Sequence, residues 1–430
     1  MLMRIAHIIS IGNELLIGDT VNTNASWLGT VLTESGFYVE QVITLPDDYS
    51  LIIENLNRSM KRAALTITTG GLGPTHDDIT KKVVADLFDV ELIENDEVLN
   101  HIKQIFSKRK YSLSPSNIEQ AMVPENCEVM FNNQGTAPGM WFEKNGHYLA
   151  VLPGVPHEMK FLAEHRIKPK LKSVFPGNEV WLTEYYRTAG IPESLLAERI
   201  GNLDEYVSNG VGIAYLPSPE GVTIRVSASG KTSARAEQKI VKLRKLLNKK
   251  AGNEIYGKGK GLNLAGVVGD ILNERTLSIA VAESCTGGFL GNVITNIPGC
   301  SRYMKGGIIA YSNDLKTGLL GVDHEIIKTE GAVSKHTALQ MAKGVAVKCG
   351  ADIGVSTTGI AGPGGGTQEK PVGLVWMGFW IEGEHFALKS IFTNDRLINK
   401  ERTVAVVLEC LRRQLLGIGT YPYNLKPQFP

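Results

Sequence analysis

The segment LSIAVAESCTGGFLGN, residues 277–292, carries a hydroxyl, a thiol and a second hydroxyl, Ser284, Cys285 and Thr286, into the glycine pair Gly287 and Gly288. An apolar run that ends in such a cluster reads as a strand, a sharp turn and the start of a helix. A nucleophile on that turn is exposed, and the backbone N–H groups beside it can receive a developing oxyanion. The competing role for Ser284 is an ordinary helix cap, the usual duty of a serine ahead of an apolar helical run. A thiol beside a helix N-terminus is open to a lowered pKa, so Cys285 stands as an alternative nucleophile.

An activated serine needs a base. His324 and His336 stand in segments that read as solvent-facing loop or helix. Lys316, in YSNDLK, follows the apolar run GGIIAYS and so stands beyond a strand's carboxyl end, where a desolvated lysine can serve as base of a Ser–Lys pair. Its plain alternative is a solvated surface charge. Tyr311, just upstream, is placed to hydrogen-bond the serine or relay its proton. In TTGIAGPGGGTQEKPVG, residues 357–373, the backbone can cradle a phosphate, with Thr358, Gly359 and Gly362 nearest the strand end; a surface loop is the alternative. Arg396, in FTNDR, suits bidentate pairing with a phosphate.

A second constellation lies near the N-terminus. In TTGGLGPTHDDIT, residues 68–80, Gly70, Gly71 and Gly73 let backbone N–H groups approach an anion at a helix start. Asp77 and Asp78 either cap that helix or offer oxygens to a hard divalent metal, with Glu14 or Glu158 from neighbouring loops as a third ligand.

The elements that must hold these residues follow from periodicity. Over residues 4 to about 165, IAHIISI, YVEQVIT, ALTITT and HYLAVLP alternate with helical patterns, the sign of a parallel sheet covered by helices. The loops GNELL, TGGLGPTHDD and PGVPHEM follow three of those strands and can line one cleft at their carboxyl ends. A small α+β unit follows, with a hairpin and an amphipathic helix, and YGKGKGLN, residues 256–263, reads as a linker. The α/β rhythm then resumes, ending in the helix ERTVAVVLECLRRQLL. The expected domains are 1–172, 173–255 and 258–420.

Composition fits small-molecule chemistry. The chain has 45 Lys plus Arg against 44 Asp plus Glu, which gives no bias toward nucleic acid or an anionic membrane. Six basic residues crowd KIVKLRKLLNKK, yet residues 178–255 hold no GxxG clamp, so a solvated helix face is the better reading and nucleic acid an unexpected partner. Five scattered cysteines with no CxxC pair argue against a disulfide framework or a zinc site and fit a reducing cytoplasm. MLMRIAHIISIGNELL reads as a first strand, not a signal peptide, and no apolar run reaches the roughly 18 residues of a membrane span.

Together GNELLIGDTVNTNASWL, TTGGLGPTHDDIT and LPGVPHEM resemble the N-terminal domain of the CinA family, itself similar to molybdopterin-binding domains of the MogA and MoaB type. AESCTGG, GGIIAYSNDLKTGLLGV, GAVSKHTA and TGIAGPGGG with KPVG resemble that family's C-terminal amidase domain, and the middle unit resembles its KH-like insert. The resemblance implies an α/β fold: a three-layer MoaB/MogA-like domain, a small α+β domain and an α/β amidase domain. It implies hydrolysis of the amide of nicotinamide mononucleotide to nicotinate mononucleotide and ammonia, without cofactor, by Ser284, Tyr311 and Lys316. Cys285 then supports the turn, and Cys285, Thr286, Gly287, Gly288, Thr358, Gly359, Gly362 and Arg396 form the expected substrate-binding set. Relatives carry a GDR motif where this chain has Asn394, Asp395 and Arg396, so Asn394 departs from the pattern. The N-terminal domain is implied to cleave ADP-ribose to AMP and ribose 5-phosphate, with Mg, Mn or Co held by Asp77, Asp78, Glu14 and Glu158 and substrate by Gly70, Gly71 and Gly73. A homodimer is also implied. The rival functions are a non-catalytic molybdopterin-like or nucleotide-binding protein, and a DNA-uptake accessory protein suggested by the family's competence-related name.

Overall fold

Alternate residues of the N-terminal strands are apolar on both sides, and this dictates a sheet buried on both faces. The computed structural model describes residues 4–75, 78–108, 110–177 and 180–430. The chain divides into two compact units, Met1–Leu182 with Ser229–Glu237, and Thr183–Ala228 with Gln238–Pro430. In the first, the strands are β1 (Arg4–Ile11), β2 (Phe37–Leu45), β3 (Leu65–Thr69), β4 (Leu92–Glu94), β5 (Met122–Pro124), β6 (Glu128–Met130), β7 (Gly139–Lys144) and β8 (His147–Leu152). Six of them form one sheet in the order β2-β1-β3-β8-β7-β6, while β4 and β5 make a separate ribbon. Ala6, Ile8, Ala150 and Leu152 pack with Leu28 and Leu32 of the helix Thr23–Glu34. Ile9, Ile11, Leu149 and Val151 pack on the other face with Ile52 and Leu56 of Tyr49–Arg62 and Val83 of Thr80–Phe88. The result is the expected three-layer arrangement.

The sheet is not wholly parallel. β7 runs antiparallel to β8 and β6 antiparallel to β7. The β7–β8 pairing follows from the Asn145-Gly146 turn, both residues at positive φ, which closes a two-residue hairpin between Lys144 and His147.

In the second unit the strands are β9 (Val180–Thr188), whose first residues fall in the other unit, β10 (Val211–Pro217), β11 (Val222–Gly230), β12 (Ile255–Lys258), β13 (Ile279–Glu283), β14 (Met304–Ile309), β15 (Ile353–Gly359), β16 (Leu374–Ile381) and β17 (Glu384–Ile391). The middle sheet has the order β10-β11-β9-β12. Here the linker reading fails in part, because Tyr256, Gly257 and Lys258 belong to β12, paired with β9. Tyr256 is buried, a Cβ on Gly257 would overlap Leu262, and Lys258 pairs with the buried Glu184, so composition alone misled. On the helix Ser233–Ala251, Ile240, Leu243 and Leu247 are buried while Lys239, Lys242, Lys245, Lys249 and Lys250 face solvent.

The C-terminal sheet has the order β14-β13-β15-β16-β17. Its first three strands are parallel and its last two antiparallel. β17 is an addition to the expected set, again made by a two-residue turn, Glu382-Gly383, at positive φ. Ile279 and Val281 pack under the helices Leu264–Glu274 and Arg396–Leu415, whereas Ala280 and Ala282 pack under Lys335–Cys349. Among the described residues no helix is long and apolar enough to cross a membrane.

Candidate functional site

Parallel pairing of β13 with β14 and β15 brings three carboxyl ends together. Glu283 lies opposite both Ile309 and Thr357, the Ala310 N–H donates to Glu283 O (2.9 Å), and the Ser284 N–H donates to Thr357 O (2.9 Å). The expected turn follows. Gly287 and Gly288 have φ of +60° and +92°, backbone that only glycine takes without strain, and a Cβ on Gly288 would press on Ile309.

Ser284 does not cap the following helix, Phe289–Thr295. That duty falls to Glu283, which is buried and accepts the N–H groups of Gly288 (3.0 Å), Leu290 (3.0 Å) and Gly291 (2.7 Å). The cap reading of Ser284 is thereby removed. The Gly287 N–H donates to Ser284 O, while the N–H groups of Cys285 and Thr286 have no backbone carbonyl as partner among the described residues. Ser284 is 9 % exposed and its hydroxyl is hydrogen-bonded to no described residue. The Thr286 hydroxyl is spent on Thr357 Oγ1 (2.6 Å).

Cys285 belongs to the hydrophobic core, and burial pushes its thiol up to about 12. The helix-terminus argument for a low pKa fails because Glu283 already occupies the helix N-terminus and burial dominates. A neutral, buried thiol is a poor nucleophile.

Lys316 lies on the helix Asn313–Leu320, capped by Ser312, and is 1 % exposed. Its Nζ donates to Ala310 O (2.9 Å) and Tyr311 O (3.0 Å), immediately beyond β14, the strand paired with the β13 that leads into Ser284. Burial lowers its pKa below the ordinary 10.5, against a smaller raising effect of Cys285. A neutral amine has two N–H donors and one lone pair. The two carbonyls use both donors and leave the lone pair available. No hydrogen bond joins Lys316 to Ser284.

Tyr311 is 61 % exposed, and its hydroxyl accepts from Arg396 Nη2 (3.2 Å) while Arg396 Nη1 donates to Gly362 O (3.0 Å). Both terminal nitrogens of Arg396 are thus engaged within the protein. The turn bearing Asn394 is shaped by Asn399, a buried residue that sequence reasoning missed. Asn399 Oδ1 accepts from the Thr393 N–H and hydroxyl, and its Nδ2 donates to Ala361 O and Thr393 O. Asp395 caps the helix Arg396–Leu415. The Thr358 hydroxyl donates to Ala332 O (2.6 Å) and so fastens the segment GAVS, and Gly359 abuts Leu374 and Val375. Gly362 is buried, whereas Gly364, Gly365 and Gly366 are exposed. His324 is exposed and His336 pairs with Glu330, in keeping with their solvent-facing assignment.

In the N-terminal domain the three loops do meet. Gly70 N–H donates to Leu152 O, Gly70 sits at φ +112° where a Cβ would overlap Ile11 O, and Gly154 packs on Gly70. Gly71 is held likewise against Thr80, and Gly73 against Asp78. Asn24, absent from the expected set, bridges Thr69 Oγ1 (3.3 Å) and Gly154 O (2.7 Å), and its Oδ1 is buried with no partner. Lys81 is buried, donates to Gln120 O, and burial lowers its pKa to about 8.

The carboxylates fare differently. Glu14 folds over Gly12, Asp78 accepts from the Thr75 N–H and hydroxyl, and Glu158 is held by Asn132 beside Gly135 with its pKa raised by burial. Asp77 lies outside the described residues. Among the described residues no three His, Cys, Asp or Glu side chains converge to hold a metal ion, and Asp77, a member of the expected set, is not among those residues.

Residues 262–415 match the family model described as "CinA C-terminal domain", residues 7–173 the "Probable molybdopterin binding domain", and residues 183–257 the "Damage-inducible protein CinA KH domain". A CinA-like protein of Salinibacter ruber is 42% identical over 412 residues, covering 95% of this chain and 99% of its own length. A second, from Chloroherpeton thalassium, is 41% identical over 420 residues, covering 96% and 99%. Of solved structures, the protein CinA from Thermoplasma acidophilum, of unknown function, is 34% identical, covers 39% of this chain and 98% of its own, and gives a TM-score of 0.37.

Proposed function

The chain belongs to the CinA family, and from that premise we propose that its C-terminal domain is an amidase acting on nicotinamide mononucleotide. The observation that carries this reading is the buried Lys316, whose Nζ is held by two backbone carbonyls at the strand end next to Ser284. In the first step Ser284 Oγ attacks the carboxamide carbon as its proton passes to the neutral amine of Lys316. The carbonyl oxygen becomes an oxyanion, for which the N–H groups of Cys285 and Thr286, not taken by backbone carbonyls, are the proposed donors. The C–N bond then breaks, the Lys316 proton leaves on ammonia, and an ester to Ser284 remains. Water cleaves that ester, giving its proton to Lys316, which returns it to Ser284 as nicotinate mononucleotide departs.

The N-terminal domain is proposed to bind a nucleotide at Gly70, Gly71 and Asn24 and to cleave ADP-ribose. The divalent metal expected there is proposed at Asp77, Asp78, Glu14 and Glu158, and no step is drawn through it. The DNA-uptake reading rests on the competence-related names of relatives alone. The test is ammonia release by the purified full chain from nicotinamide mononucleotide, beside AMP release from ADP-ribose. Ammonia is expected; a folded protein that releases none overturns the amidase reading in favour of a binding protein.

A further inference from the structure

Both terminal nitrogens of Arg396 are engaged, by Gly362 O and by Tyr311 Oη. That leaves open which cation meets the substrate's negative end. One helical turn further on, and so on the same face of Arg396–Leu415, stands Lys400. Its Nζ lies 3.8 Å from where a Cβ on Gly287 would sit, and 5.9 Å from the centre of the Phe289 ring. Lys400 is half-buried and no described carboxylate is within ion-pair distance of it. An ammonium set over an aromatic face beside the Ser284–Gly288 turn, with no described carboxylate as its partner, is open to an anion.

Resting on the amidase reading, we propose that Lys400 is the residue that binds the phosphate of the mononucleotide and makes the enzyme prefer phosphorylated substrates. Arg396 is then a positioning residue, which fixes Tyr311 and the Gly362 loop around the substrate. The arrangement has an electrostatic logic, because the carboxamide ring of this substrate is a pyridinium cation and the phosphate is its anionic end. Lys400 attracts the second and so fixes one end of the molecule. Gly287 serves this by keeping the space over the turn free of a side chain.

The experiment compares nicotinamide mononucleotide with nicotinamide riboside, which lacks the phosphate, in the full chain. Lys400→Met is expected to raise KM for the mononucleotide roughly tenfold to a hundredfold, the value of a hydrogen bond to a charged group, with kcat within about twofold. kcat/KM for the riboside should not change, and Lys400→Arg should restore most of the mononucleotide's KM. An unchanged KM, or an equal loss with both substrates, overturns the proposal. Binding of nicotinamide mononucleotide by calorimetry separates this inference from the amidase reading. Lys400→Met should weaken that binding even in a protein that releases no ammonia, and undiminished binding contradicts the role of Lys400 whatever the turnover.

Discussion

At the scale of single residues, the site turns on how burial treats two ionisable groups on adjacent strand ends. Burial raises the Cys285 thiol to about 12 and lowers Lys316, so the thiol is kept neutral and the amine is made available as a base. The sign for catalysis follows. The active form of Lys316 is neutral, its fraction grows as pH rises through the lowered pKa, and kcat/KM should climb with pH to a plateau whose midpoint lies below 10.5. Lys316→Arg keeps a cation but removes the base. It should lower kcat by on the order of 10² to 10⁴ and abolish that limb of the profile. A Lys316→Arg enzyme with the parent's profile would exclude Lys316 as the base.

At the scale of elements, the Ser284 turn depends on a residue that the sequence pattern did not single out. Glu283 ends β13 and ties down the first turn of Phe289–Thr295 through three N–H groups, which leaves Ser284 free of capping duty. Glu283→Ala strands those buried donors, so the full chain should lose about 2 kcal/mol or more of stability, read as a lower denaturant midpoint. An unchanged midpoint would mean that water replaces the carboxylate at no cost. The strand-end placement of Ser284, Lys316 and the glycine loops was legible because periodicity locates strand ends and parallel strands share them. The engagement of Thr358 with Ala332, of Arg396 with Tyr311, and of Asn399 with Ala361 was not, since each joins segments distant in sequence. The hairpins that add β7 and β17 are marked by Asn145-Gly146 and Glu382-Gly383, but such pairs stand inside segments whose strand–helix rhythm is that of a parallel sheet.

At the scale of the molecule, the second unit is joined by buried charge. Glu409 accepts from Arg412 and Arg413, and these reach Asn253 O and Ala189 O of the middle domain. Arginine forks satisfied by a buried carboxylate and by carbonyls resist separation, because parting them strands charge in the core. The middle domain therefore acts on Arg396–Leu415, the helix that carries Arg396 and Lys400, as a support. Its solvated basic helix needs no nucleic acid to explain it.

The most direct test of the central claim is a kcat comparison of two single variants of the full chain, Ser284→Ala and Cys285→Ala, in ammonia release from nicotinamide mononucleotide. The account predicts that Ser284→Ala removes nearly all turnover while AMP release from ADP-ribose stays at the parent's level, and that Cys285→Ala keeps a substantial part of kcat because it loses packing and no chemistry. Loss of turnover in Cys285→Ala with retention in Ser284→Ala would contradict it and move the nucleophile to the thiol.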